Sequence, residues 1–240
     1  MPLNVMHPSS SFFVDVAMAD LALLVAGLLV LGHARAGARS SGGAWRFGAG
    51  VAAWVVIVAA AGLSGVLKRA DLRPPPMGVM VVSCLVLAIA SGLSRVGKRM
   101  ATGLPIAALI GFHAFRLPLE LVMHRAASEG TMPVQMSFGG SNFDIITGIT
   151  AIFVAALAHA GKAPRFLLQG WAILSSVLLA AIVVIAVAST PPLAAFGSAP
   201  ERLNTWVAWF PFCWLPALLV PAALFGQILV FRRLAAIPRG

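Results

Sequence analysis

Of 240 residues, 60% are hydrophobic and 10% charged, against about 25% charged in a soluble globular domain, so a water-soluble fold is excluded. The net charge of +10 is held in short clusters between apolar runs, such as Arg95, Lys98 and Arg99. That is the pattern of membrane loops and excludes nucleic acid as a partner. Cys84 and Cys213 both fall inside apolar runs, which leaves no disulfide framework.

The apolar runs predict an all-α integral membrane protein: one transmembrane domain over residues 1–240, a single bundle of about seven helices. The first helix is read over 12–32. Ala34-Arg35-Ala36 has the look of a signal-cleavage site, but no Lys or Arg precedes Arg35, so this helix is expected to be retained. Ser-Ser-Gly-Gly at 40–43 separates it from a second at 47–67, and Pro74-Pro75-Pro76 leads into a third at 77–94. The fourth covers 104–124. A connection over 125–140, with Gly130, Pro133 and the pair Gly139-Gly140, is long enough to fold back as a lid. The fifth helix, 141–160, begins with Ser141-Asn142-Phe143-Asp144, which fits a capping box. The sixth covers 167–189 and stops before Pro191-Pro192. The seventh covers 205–231; Pro211, Pro216 and Pro221 are expected to bend it, and Trp206, Trp209 and Trp214 to form an interfacial belt at its outer end.

Charge sets the expected orientation. With the N-terminus outside, Arg35, Arg39, Arg46, Arg95, Lys98, Arg99, Lys162, Arg165, Arg232, Arg233 and Arg239 are cytoplasmic, against Lys68, Arg69, Arg73, Arg125 and Arg202 outside. Eleven against five favours N-out and C-in. The expected location is a bacterial inner membrane, with the lipid bilayer as the first partner.

The stretch FHAFRLPLELVMHR at 112–125 concentrates charge where it costs most. At about 100° per residue, His113, Arg116, Glu120 and His124 share one face of the fourth helix. Ionisable groups in hydrocarbon face the bundle interior and find partners. Asp15 and Asp20 of the first helix and Asn142 and Asp144 of the fifth are expected at similar depth. Pro118 removes a backbone donor within the stripe and frees the carbonyl of Ala114. The candidate ligand or proton site is therefore Arg116, Glu120, His124, Asn142, Asp144, Asp20 and His113. A plainer alternative has Arg116 and Glu120 neutralise each other four residues apart, with Asp144 only capping its helix.

FRLPLEL followed by PVQMSFGGSNFDIITGITA resembles an uncharacterised family of bacterial multi-pass membrane proteins, with the pattern F-R-x-P-x-E-L, then P-x-x-M-[ST]-F-x-G-x-N-F-D-I-x-x-G-x-T-A. The resemblance covers about forty residues. Arg116, Pro118, Glu120, Pro133, Met136, Phe138, Gly140, Asn142, Asp144, Gly148 and Thr150 match it. The chain departs at Gly139 and Ser141, where the family pattern has glutamate and arginine. The resemblance implies a site at these residues and no particular activity.

Other chemistries fit less well. Retinal proteins share the helix number but need a lysine in the seventh helix, whereas Lys68, Lys98 and Lys162 all lie in loops. His113 and His124 are about 16 Å apart along one helix, too far to share a metal, so no metal site is expected. Haem b, which takes histidines from two helices at one depth, is a lesser alternative among His33, His113 and His159. Cu(I) would draw on Met6, His7, Met123, His124, Met132 and Met136. The expectation is a transporter or sensor-like protein that binds a small polar ligand or cation with proton coupling and without a cofactor; a non-enzymatic role is favoured, with a membrane-embedded enzyme as a lesser alternative. A non-catalytic accessory subunit of a membrane complex is the alternative.

Overall fold

The computed structural model describes residues 10–37 and 41–236; Met6, His7, Arg39 and Arg239 lie outside them. Among the described residues there is no strand. The α-helices are α1 (Phe12–Arg35), α2 (Ser41–Ser64), α3 (Pro76–Leu93), α4 (Arg95–Gly103), α5 (Ile106–Phe112), α6 (Arg116–Ser128), α7 (Ile145–His159), α8 (Arg165–Ala188) and α9 (Val220–Ala236). Among the described residues, six stretches are long and apolar enough to cross a bilayer: Phe12–Arg35, Gly43–Ser64, Pro76–Leu93, Ile106–Ser128, Arg165–Ala188 and Leu215–Ala236. The protein is a polytopic helical membrane protein. The shorter α7 is apolar along its fifteen residues, about 22 Å at ~1.5 Å per residue.

Local chemistry sets the helix starts. Ser11 caps α1 by accepting the Val14 N–H, and Ser94 caps α4 by accepting from Val96 and Gly97. Pro76 opens α3, where the missing N–H has no intrahelical partner to lose. The last helix is the core element: 67% of an apolar 18-residue stretch within Leu215–Ala236 is buried, against 17% of the one within Gly43–Ser64. It packs on α3, α4, α5 and α8, so lipid-facing helices surround a protein-facing one.

Four expectations need correction. The predicted helix over 205–231 is helical only from Leu215, as a π-turn (Leu215–Leu219) that passes into α9. Its first ten residues are 3-10 and other turns, because Pro211 and Pro216 deny the backbone its donors. Trp206 and Trp214 are not a lipid-facing belt. They are 2% and 5% exposed, and the Trp214 indole donates to the Val55 carbonyl at 3.1 Å. The helix over 141–160 begins only at Ile145, with Asp144 as its N-cap, so the capping box anchored on Ser141 does not form. Finally, the basic segment after α3 is not a plain loop. It forms α4, which exposes Arg95, Lys98 and Arg99 and buries Gly97, Met100 and Ala101, an amphipathic helix fit to lie at a membrane surface.

The seven acidic residues of the chain are Asp15, Asp20, Asp71, Glu120, Glu129, Asp144 and Glu201, all toward the end where α1 begins. One of them ties that end together. Glu129 Oε2 accepts the Ser11 N–H at 2.8 Å and its Oε1 accepts from Arg125 at 2.6 Å. The bond from the Ser11 backbone is the main reason this carboxyl is held below its usual range. A lowered carboxyl contributes stability above its unfolded pKa of about 4.3 and loses it as pH falls through the lowered value. Hydrogen-exchange protection of the Ser11–Asp15 amides is therefore expected to be flat above about pH 5 and to fall below about pH 4. Glu129→Ala should show the low protection at every pH; pH-independent protection in the wild type would refute the tie.

Candidate functional site

The site is built where α5 gives way to α6. A 3-10 turn at His113–Phe115 links them, so Pro118 falls in the first turn of α6. There its missing N–H coincides with donors that lack intrahelical partners anyway, and the expected free Ala114 carbonyl is not what places Arg116. Close approach of the next helix does that. A Cβ on Gly148 would lie 2.3 Å from the Leu117 nitrogen, so only glycine allows α7 to seat against α6 at this level.

Across that contact, Arg116 Nε donates to Asp144 Oδ2 at 2.6 Å, and its Nη2 pairs with Asp144 Oδ1. Arg116 Nη1 donates to Ser175 Oγ at 3.0 Å. Ser175 donates onward to Gln227 Oε1 at 3.1 Å, and Gln227 Nε2 donates to the Ala172 carbonyl at 2.6 Å. Thr147 donates to Asp144 Oδ1 at 3.1 Å. One guanidinium thereby joins α6, α7, α8 and α9. Arg116 and Asp144 are 1% and 4% exposed.

Glu120 is 2% exposed and does not take Arg116 as its partner. The plainer alternative, in which these two neutralise each other four residues apart, is therefore not what forms. Its two oxygens accept from Asn142 Nδ2 at 2.9 and 2.8 Å. Asn142 also donates to the Met136 carbonyl, and its Oδ1 accepts the Asp144 N–H at 3.0 Å. Asn142 thus links Glu120 to the start of α7 while bringing no charge. Two carboxyl groups thus share the cluster with one cation, and only Asp144 is paired with it.

The connection between α6 and α7 is a packed cap. Thr131, Met132, Gln135, Met136 and Ser137 are buried. Gln135 donates to Ser189 Oγ at 3.1 Å and to the Arg202 carbonyl at 2.8 Å. Gly140 is required there, since a Cβ would lie 2.3 Å from the Val134 carbonyl oxygen. Beside the cluster runs a cleft of about 500 Å³, walled by Val81 and Leu85 of α3, Leu179 and Val183 of α8, and Leu219 and Ala223 of the last helix. Arg116, Glu120 and Asp144 line it at depth, and Lys68 and Asn204 line it toward the connecting loops. Lys68 Nζ lies 2.9 Å over the Trp209 ring.

Of the candidates named from sequence, the structure joins Arg116, Glu120, Asn142 and Asp144. His113 is buried nearby but packs edge-on to Trp171, with centroids 5.5 Å apart. His124 is exposed and stacks on Phe138 at 4.1 Å, outside the cluster, because the face of α6 that is buried at this level is the one carrying Leu119, Met123 and Ala126, and His124 lies at its edge. Asp20 is exposed on α1 and Asp15 makes no bond to the cluster, so helix one does not contribute the carboxylates expected of it. Met123, Met132 and Met136 are core residues. Among the described residues no three His, Cys, Asp or Glu side chains converge as metal ligands. Ser175, Thr147 and Gln227 were missed. Gln227 had a signal, as the lone amide in an apolar run; Ser175, beside Ser176, is indistinguishable from a packing serine in sequence.

Comparison with protein-family models, with curated proteins and with solved structures finds no match. The fold itself defines the class: a polytopic all-α membrane protein with an ionic cluster in its interior.

Removing one member of a buried pair costs about 3–5 kcal/mol, because the other charge is stranded. Arg116→Met and Asp144→Leu are each expected to destabilise by about that much. The double variant should recover at least ~2 kcal/mol relative to the sum. Unfolding titrations in mixed micelles measure all four corners of this cycle, and additive losses would sink the pairing.

Proposed function

We propose that the protein binds a small ligand that brings a cationic or proton-donating group to Glu120, in a transporter or sensor-like role. The observation that carries this reading is a buried carboxyl group with no cationic partner beside a cleft: two carboxyl groups, one guanidinium, and an apolar chamber of about 500 Å³ leading to them. Asp144 is neutralised by Arg116, whereas Glu120 faces a neutral amide. A cation or a proton supplied at Glu120 closes the balance. Arg116 is the electrostatic anchor of the site, and Asn142 fixes both oxygens of the receiving carboxylate. The apolar walls favour a ligand with a hydrocarbon body over a hydrated ion.

In this reading α7 completes seven crossings, N-out and C-in, in a bacterial inner membrane. The excess of cations at the end opposite the acidic residues supports that orientation. The cleft then opens toward the outside, at Lys68 and Asn204. The match of Arg116, Glu120, Asn142 and Asp144 to the pattern named above supports placing the chain in that family.

Alkylammonium ions from ethyl to hexyl, added to the protein in nanodiscs, test this. Burying each further methylene contributes ~0.8 kcal/mol, so affinity read from thermal shifts should rise about fourfold per carbon. Glu120→Gln should stay folded and lose the response. Absence of stabilisation by any member, or equal stabilisation of Glu120→Gln, would discard the proposal.

A further inference from the structure

The outward face of α1 carries a carboxylate that the bundle does not use. Val14, Met18, Leu21, Ala22 and Val25 turn inward and are buried. Asp20 points the other way and is exposed. At about 100° per residue, Phe13, Val16, Leu23, Leu24, Gly27 and Leu31 all lie within about 60° of it on either side. Each of these is exposed too, Leu23 and Leu24 at 53% and 51%. Asp20 therefore sits at the centre of an apolar stripe that runs most of the length of the helix. It makes no hydrogen bond or ion pair with any described residue.

Depth makes this costly. Asp20 is eight residues in from Phe12, about 12 Å along a helix of about 36 Å. Centred in a hydrocarbon layer of about 30 Å, it lies roughly 9 Å below the surface. An aspartate side chain is too short to reach water from there, so the carboxylate needs a partner at its own level. A second copy does not offer one. Among the described Lys and Arg residues, only Arg116 lies inside a long apolar stretch away from its ends, and it is buried and held by Asp144.

We propose that this face of α1 docks a transmembrane helix of a different membrane protein, one that carries Lys or Arg at the depth of Asp20. The stripe supplies an apolar seam, Gly27 lets the helices approach closely one turn or two further in, and the ion pair fixes register. The chain is then a subunit of a hetero-oligomeric membrane complex, whatever its cleft binds.

A photo-crosslinking residue introduced at Leu24 in intact cells tests this, with the same residue at Val184, an exposed position of α8, as control. The expected result is a protein adduct at Leu24 and none at Val184. Mass spectrometry should place the crosslink in a partner helix that has Lys or Arg within a turn of the site. Asp20→Asn should lower the yield about tenfold, equivalent to ~1.4 kcal/mol of lost association, and leave thermal stability in detergent unchanged. Asp20→Glu should restore part of the yield. An adduct between two copies of this chain, a partner helix without a cation, a yield indifferent to Asp20→Asn, or no protein adduct would each overturn the proposal. So would unfolding of Asp20→Asn, which would make the carboxylate a structural group of this chain.

Discussion

The buried guanidinium of Arg116 is the constraint around which the rest is arranged. A charge that deep is tolerated only when its donors are taken up. Here they are divided between Asp144 on the segment leading into α7 and Ser175 on α8, with Gln227 of α9 behind. Four helices that otherwise meet through apolar surface are given one relative position. In a bilayer this matters more than in water, because lipid competes equally well for apolar faces.

The neighbouring carboxylate obeys a different rule. Glu120 is held through both of its oxygens by one amide nitrogen, and this partner carries no charge. The cap formed by 129–140 makes this possible: it fixes the Met136 carbonyl, and with it Asn142. The cluster thus has a structural half and an unbalanced half, only one turn of α6 apart. A cleft that touches both puts the unbalanced half within reach of a ligand, while the ion pair keeps the walls in place.

Asp20 brings out the contrast between inward and outward charge. Both it and Glu120 are acidic residues in apolar helices, and in sequence the two look alike. Inside the bundle, neighbouring elements satisfy the carboxylate. On the outer face of α1 only something beyond this chain does so, and the same desolvation that makes an interior cluster specific makes an outer one a mark of assembly.

How much of this was legible in the sequence follows from the range of the forces involved. Class, the positions of the first six predicted helices, and the choice of Arg116, Glu120, Asn142 and Asp144 as residues to be accounted for were determined by the sequence alone, because hydropathy is a property of contiguous residues and a charge in an apolar run needs a partner; the last helix, which starts at Leu215 and not at 205, was not. Helical phase correctly placed His113, Arg116 and Glu120 on one buried face. It failed for His124, because the covered face of α6 at that level is the one with Met123 and Ala126, and His124 lies at its edge. Pairing was decided only by the tertiary structure. Arg116 has Glu120 four residues away and takes Asp144, twenty-eight residues on, because Gly148 lets α7 come close enough for a two-pronged contact. Which way α1 turns Asp20 was likewise fixed by its packing on α2 and α6, and Trp214 faces the core because α2 meets it at the Val55 carbonyl; no local pattern encodes which neighbour a helix face will meet.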